Sequence, residues 1–150
     1  MRRLFICVWF TLLFGSLAHG ATTTADQKRF LVVAPKAFCQ TLDRFTNYKQ
    51  KLLPTELKPL EEILSTTQGA DDPEKLKRFL YGEWKEHNLG YALLVGDVDV
   101  MPVRFMVLDR VTAAAFDYAF YPSDLYYSDL AKADGTFDDW NAQKDSFHAG

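Results

Sequence analysis

The run Arg29–Pro35, RFLVVAP, constrains the fold more than any other stretch of the chain. Its unbroken series of apolar and β-branched residues leaves no alternating polar face, so a strand built from it must be covered on both sides. That is the condition of a parallel sheet packed between helices. The period then changes: in KAFCQTLDRFTNYKQKLL the residues Phe38, Leu42 and Phe45 recur at spacings of four and three, as one face of a helix does. A buried strand therefore leads into a helix.

The next segment, PTELKPLEEIL (54–64), reads as a short edge strand, because Pro54 and Pro59 deny a central strand its ladder hydrogen bonds. A second helix is better marked. Asp71 or Asp72 can cap it, Pro73 suits its first turn, and Glu74 sits near the positive end of its dipole. Leu76, Phe79, Leu80 and Trp84 form its expected buried stripe, and Asn88 and Gly90 can end it. The chain returns as YALLVGD (91–97), read as a second fully buried strand. Strand, helix, edge strand, helix, strand is a doubly wound α/β pattern, and right-handed crossovers give the sheet order 2-1-3.

Composition sets the broad class. With 48% hydrophobic and 25% charged residues the chain can bury a core, and its net charge of −3, with lysines scattered along it, offers no basic field for nucleic acid. Residues 1–20 stand apart: Arg2 and Arg3 precede LFICVWFTLLFGSLA, and small residues follow around Ala18 and Gly20. This reads as a signal peptide cut before Ala21. The apolar run is shorter than the ~20 residues a membrane span needs, so the mature chain is expected to keep no stable span. Cleavage also removes Cys7, leaving Cys39 alone and no intrachain disulfide.

Two regions carry candidate chemistry. Asp97 follows Gly96 at the carboxyl end of the last apolar strand, where open α/β sheets gather ligands, and it is either a ligand or a turn residue. Farther on, DLAKADGTFDDWNAQKD places Asp134, Asp138, Asp139, Asn141, Gln143 and Asp145 close together. Alternating oxygen side chains suit calcium, and Asn141, Gln143 and Asp145 echo the first ligand positions of an EF-hand loop, with Asp139 extending the alternation backward. The match is partial, since Ser146 stands where such a loop needs glycine and Lys144 brings an opposing charge. The competing reading is a solvated acidic loop built on Asx turns. In YPSDLYY, packing of Tyr121, Tyr126 and Tyr127 on the domain edge is favoured over a peptide-binding rim.

Cys39 falls on the first helix, away from the expected strand ends, and reads as a small structural hydrophobe. His87 sits near a helix end, where its charge suits the dipole, and His148 reads as a surface residue.

The opening strand FLVVAPKAF, the block DPEKLKRFLYGEWKEHNLGYALLVGDVDVMP and the later YPSDLYYSDLAKADGTFDDWNAQKD together resemble the start of the catalytic domain of the gingipain family of secreted cysteine peptidases, peptidase family C25 of the caspase-like clan. The resemblance implies a three-layer, caspase-like α/β fold with a doubly wound, mostly parallel sheet, of which residues 21–150 are the amino-terminal portion. It implies a Cys/His dyad, the His in a His-Gly step and the Cys in an Ala-Cys step, both downstream of Ser-Asp-Leu-Tyr-Tyr. The dyad is thus expected beyond Gly150, with no catalytic residue before it. Structural calcium is implied as well, with Asp97 as the strand ligand and oxygens of the following loop beside it, for which Asp139, Asn141 and Asp145 are selected among the several acids present. Protein or peptide substrates follow for the whole enzyme. The alternative is a non-catalytic secreted calcium-binding or interaction module with the same α/β start.

Overall fold

β1 (Arg29–Ala34) is the middle strand of a three-stranded parallel sheet, and Leu31, Val32, Val33 and Ala34 in it are buried. The computed structural model describes residues 27–109 and 118–140. In chain order β1 is followed by α1 (Lys36–Lys49), β2 (Thr55–Pro59), α2 (Leu60–Thr66), α3 (Asp72–Glu86) and β3 (Leu89–Leu94). The strand order β2-β1-β3 is the one expected from right-handed crossovers, and the register sets Val32 opposite both Leu57 and Leu93.

Successive side chains of a strand point to opposite faces, and those of β1 meet different helices. Leu31 and Val33 join Leu60 and Ile63 of α2 and Leu76 and Leu80 of α3 in one core, whereas the ring of Phe30 meets Phe45 of α1 edge to face at 6.2 Å. This explains the unbroken apolar run.

Three expectations are corrected. The segment 54–64 is an edge strand only as far as Pro59, after which the backbone turns into α2. Pro59 is the N-cap of that helix, a position where its missing N–H costs nothing, and Glu61 and Glu62 occupy the favourable first turn. Leu60 and Ile63 are its buried face. Secondly, β3 is not fully buried. It is an edge strand among the described residues, with Leu89 buried but Gly90, Tyr91, Ala92 and Leu93 exposed, because no described strand lies beyond it. Thirdly, Trp84 is exposed, so the buried stripe of α3 runs through Glu74, Leu76, Lys77 and Leu80. Trp84 instead lines a groove of about 580 Å³ along β3, together with Leu80, Leu89, Leu94, Tyr127 and Leu130.

Past the sheet the chain forms an antiparallel hairpin of β4 (Arg104–Asp109) and β5 (Tyr118–Ser123), then the short α4 (Leu125–Ser128). No sequence feature singled out this hairpin in advance. A carboxylate ties it to α3: Asp71 caps that helix by accepting from Glu74 N–H at 3.1 Å, and its two oxygens also accept from Arg104 Nη1 and Nη2 at 2.7 and 2.8 Å.

The core assignment is tested at Ile63, which is fully buried between α3 and the sheet. Ile63→Ala should lower the unfolding free energy by about 2–5 kcal/mol in a denaturant titration, since the cavity cannot collapse fully. A loss within experimental error would mean that α2 is peripheral.

Candidate functional site

The backbone leaves β3 through Gly96 with φ of 146°, and a Cβ there would stand 2.7 Å from Val100 Cγ2. Only glycine suits both conditions. Asp97 then closes a tight turn: its carbonyl accepts from the N–H groups of Val100 and Met101, and its Oδ1 accepts from Val98 N–H at 2.7 Å. Its side chain is exposed and lines a small notch of about 250 Å³ with Met101, Ser123 and Asp124. Asp97 is therefore both a turn former and a carboxylate at the carboxyl end of the sheet.

Asp124 entered the sequence reading only within YPSDLYY. It comes to Asp97 because β5 ends beside β3's exit turn. Tyr126 and Tyr127, assigned to the domain edge, lie in the core, while Tyr121 is exposed. Tyr127 donates its hydroxyl hydrogen to the carbonyl of Pro102, and burial pushes its phenol well above the usual range.

Asp139, the one loop residue of the expected ligand set that is described, belongs to a different neighbourhood. The segment 129–140 folds along α3, where Tyr81 donates to the carbonyl of Gly135 at 2.8 Å and the guanidinium of Arg78 lies 4.3 Å from the centre of the Phe137 ring. Its carboxylates are engaged locally. Asp134 accepts from the N–H and hydroxyl of Thr136, which hold its carboxyl below the usual range, Asp138 accepts from Trp140 N–H, and Asp129 accepts from Trp140 Nε1 at 2.9 Å. The bonds of Asp134 and Asp138 to the N–H two residues on are Asx turns, as in the competing reading of this stretch, whereas Asp129 reaches across the segment to the indole.

Lys77 faces the same segment from α3 and is fully buried. Burial lowers its pKa to about 8, while the charges of Asp138, Asp129 and Asp139 pull in the opposite direction, so it stays an ammonium at neutral pH. The sequence did hold a signal for it. Lys77 lies three residues before Leu80 and seven before Trp84, on the face assigned to the core.

Asn141 and Asp145 of the expected calcium set, and His148, lie outside the described residues. Among the described residues no group of three or more His, Cys, Asp or Glu side chains could hold a metal ion. Calcium takes six to eight oxygens, and the notch at Asp97 offers the carboxylates of Asp97 and Asp124. The described residues by themselves do not fit that ion.

The two described residues that could pass for a dyad stand at opposite ends of the sheet. Cys39 lies one turn past the carboxyl end of β1, closer to a strand end than its helical setting implied, and its Sγ is 3.6 Å from the Pro35 carbonyl oxygen. Burial pushes the thiol up, and the charges of Glu61 and Asp43 push the same way. A reactive thiolate needs the reverse. His87 caps the far end of α3 beside Glu83, and its carbonyl accepts from Arg29 at the start of β1.

Residues 23–142 match Peptidase family C25. The chain belongs to this family. No curated protein and no solved structure matches it. The family match spans the whole parallel sheet, the exit turn at Asp97 and the aromatic segment, and so bears out the resemblance first seen in the sequence. For a C25 domain the mixed α/β architecture with a parallel three-stranded sheet is compatible with a caspase-like fold.

The exit turn can be tested directly. Gly96→Ala should cost about 1–3 kcal/mol of stability, from positive φ and the approach to Val100 together, with an unchanged circular dichroism spectrum in the folded state. No loss in thermal or denaturant unfolding would mean that the turn relaxes freely.

Proposed function

We propose that this chain is the amino-terminal portion of a secreted cysteine endopeptidase of family C25, whose Cys/His dyad lies in sequence following Gly150. Family membership across residues 23–142 is the observation that carries the proposal. The placement of Cys39 and His87 supports it, because a nucleophile needs its base within hydrogen-bond reach and these two lie at opposite ends of the sheet.

The state of β3 also supports the reading. Among the described residues no strand pairs with its outer edge, Tyr91 is 60% exposed and Leu93 37% exposed, and the neighbouring groove is lined by leucine and aromatic side chains. A strand added there would bury this surface and extend the sheet toward the three-layer, caspase-like form. The substrates would be proteins or peptides, which the family as a class hydrolyses. Export rests on the pattern of residues 1–20, and among the described residues no helix is long and apolar enough to cross a membrane.

Two preparations test the proposal. The 150-residue chain should release no product from peptide reporters, whereas a polypeptide continued past Gly150 should hydrolyse them and lose activity when its downstream cysteine is replaced by alanine. Turnover by the short chain that vanishes with Cys39→Ala would overturn the assignment. An extended polypeptide without His-Gly and Ala-Cys steps would favour the non-catalytic interaction module instead. Exported material should begin at or near Ala21 by amino-terminal sequencing, and intact Met1 in a membrane fraction would contradict export.

A further inference from the structure

Lys77 is 0% exposed, and its Nζ has no hydrogen-bond partner among the described residues. A buried ammonium left so would be strongly destabilising, so its surroundings must supply something else. They supply rings. Nζ lies 4.3 Å from the centre of the Tyr126 ring, 5.0 Å from that of Trp140 and 5.7 Å from that of Phe137. A ring face turned toward a desolvated cation attracts it through the ring quadrupole. Tyr126 and Trp140 also pack edge to face on one another at 5.5 Å, so the cage holds its own shape.

Carboxylates lie farther out. The charges of Asp138, Asp129 and Asp139, all in the segment that was expected to need calcium, favour the ammonium, and that of Arg104 opposes it. Asp129 is hydrogen-bonded to the caging Trp140, which fixes that acid and that ring together. The segment thus meets a positive charge on its inner side, supplied by α3.

We propose that Lys77 is a built-in counter-ion for the acidic segment 129–140, docking it onto α3 without a bound metal ion. Three rings close around one ammonium, two of them carried by the acidic segment itself, and the cation that acid-rich segments commonly take from solution is here covalently part of the chain. The neighbouring contacts of Arg78 with Phe137 and of Tyr81 with Gly135 hold the same segment along the same helix face, so Lys77 acts within a longer seam. Neutralisation from inside leaves the outer carboxylate oxygens to water, and the order of the segment becomes independent of the calcium concentration around the protein.

Amide hydrogen exchange read by mass spectrometry on the whole chain tests this. Protection of 129–140 should be equal in calcium and in chelator, and opening of the segment in chelator would overturn the proposal. Lys77→Met, which keeps the length and removes the charge, should speed exchange across 129–140 by about tenfold while the amides of β1 keep their rates. Unchanged exchange in 129–140, or equal acceleration in β1, would each count against a local counter-ion. Should Lys77→Met not fold, Asp129→Asn combined with Asp138→Asn removes two charges and keeps the acceptor oxygens. That double variant should also open the segment severalfold, and full protection in it would overturn the proposal.

Discussion

The paired hydrogen bonds between Asp71 and Arg104 are the interaction on which most of the remaining geometry depends. One carboxylate caps α3 and holds the first residue of β4 through both its oxygens. Charge-assisted, two-point bonds of this kind fix direction as well as distance. The Arg104 side chain is 13% exposed, so water competes poorly for it. Its guanidinium also lies 5.0 Å from the centre of the Tyr126 ring, and Tyr126 in turn packs on Trp140 and Lys77. The start of α3, the seat of the hairpin and the docking of the acidic segment are thereby linked through a single acid.

The two edges of the parallel sheet differ in kind. β2 carries Glu56, Lys58 and Pro59, and Glu56 pairs with Arg29 while Lys58 pairs with Glu62. Charges and proline are the common means of blunting an edge strand. β3 has none of these between Gly90 and Leu94, and its side chains face an open groove. Among the described residues the sheet is thus blunted on one side and open on the other.

The acidic stretch shows how one composition supports two physical outcomes. Closely spaced carboxylates repel one another unless something neutralises them, and a divalent ion is the answer visible from spacing alone. Here, Asx turns at Asp134 and Asp138 and the ammonium of Lys77 offer a second answer. Which one applies depends on Lys77 of α3, which lies far earlier in the chain.

The apolar run of β1, the helical period of α1, the cap and proline of α3 and the strand order were legible because each is a local pattern or follows from chirality. Asp71 as the cap was one of two choices, and the structure selects it through Glu74 N–H. α2 was hidden behind Pro59, which ends a strand and begins a helix with equal ease. The β4–β5 hairpin left no period strong enough to read. Exposure of β3 and Trp84 could not be foreseen either, since an apolar strand records that both its faces can be buried, not that a neighbour is present. The sequence by itself determined family, architecture and the glycine-aspartate exit from β3, all properties of short-range pattern. Only the tertiary structure decided what each charge faces: Arg104 meets Asp71 across 33 residues, and Lys77 meets rings at positions 126, 137 and 140. Electrostatic pairing follows distance in space, which sequence periodicity does not encode.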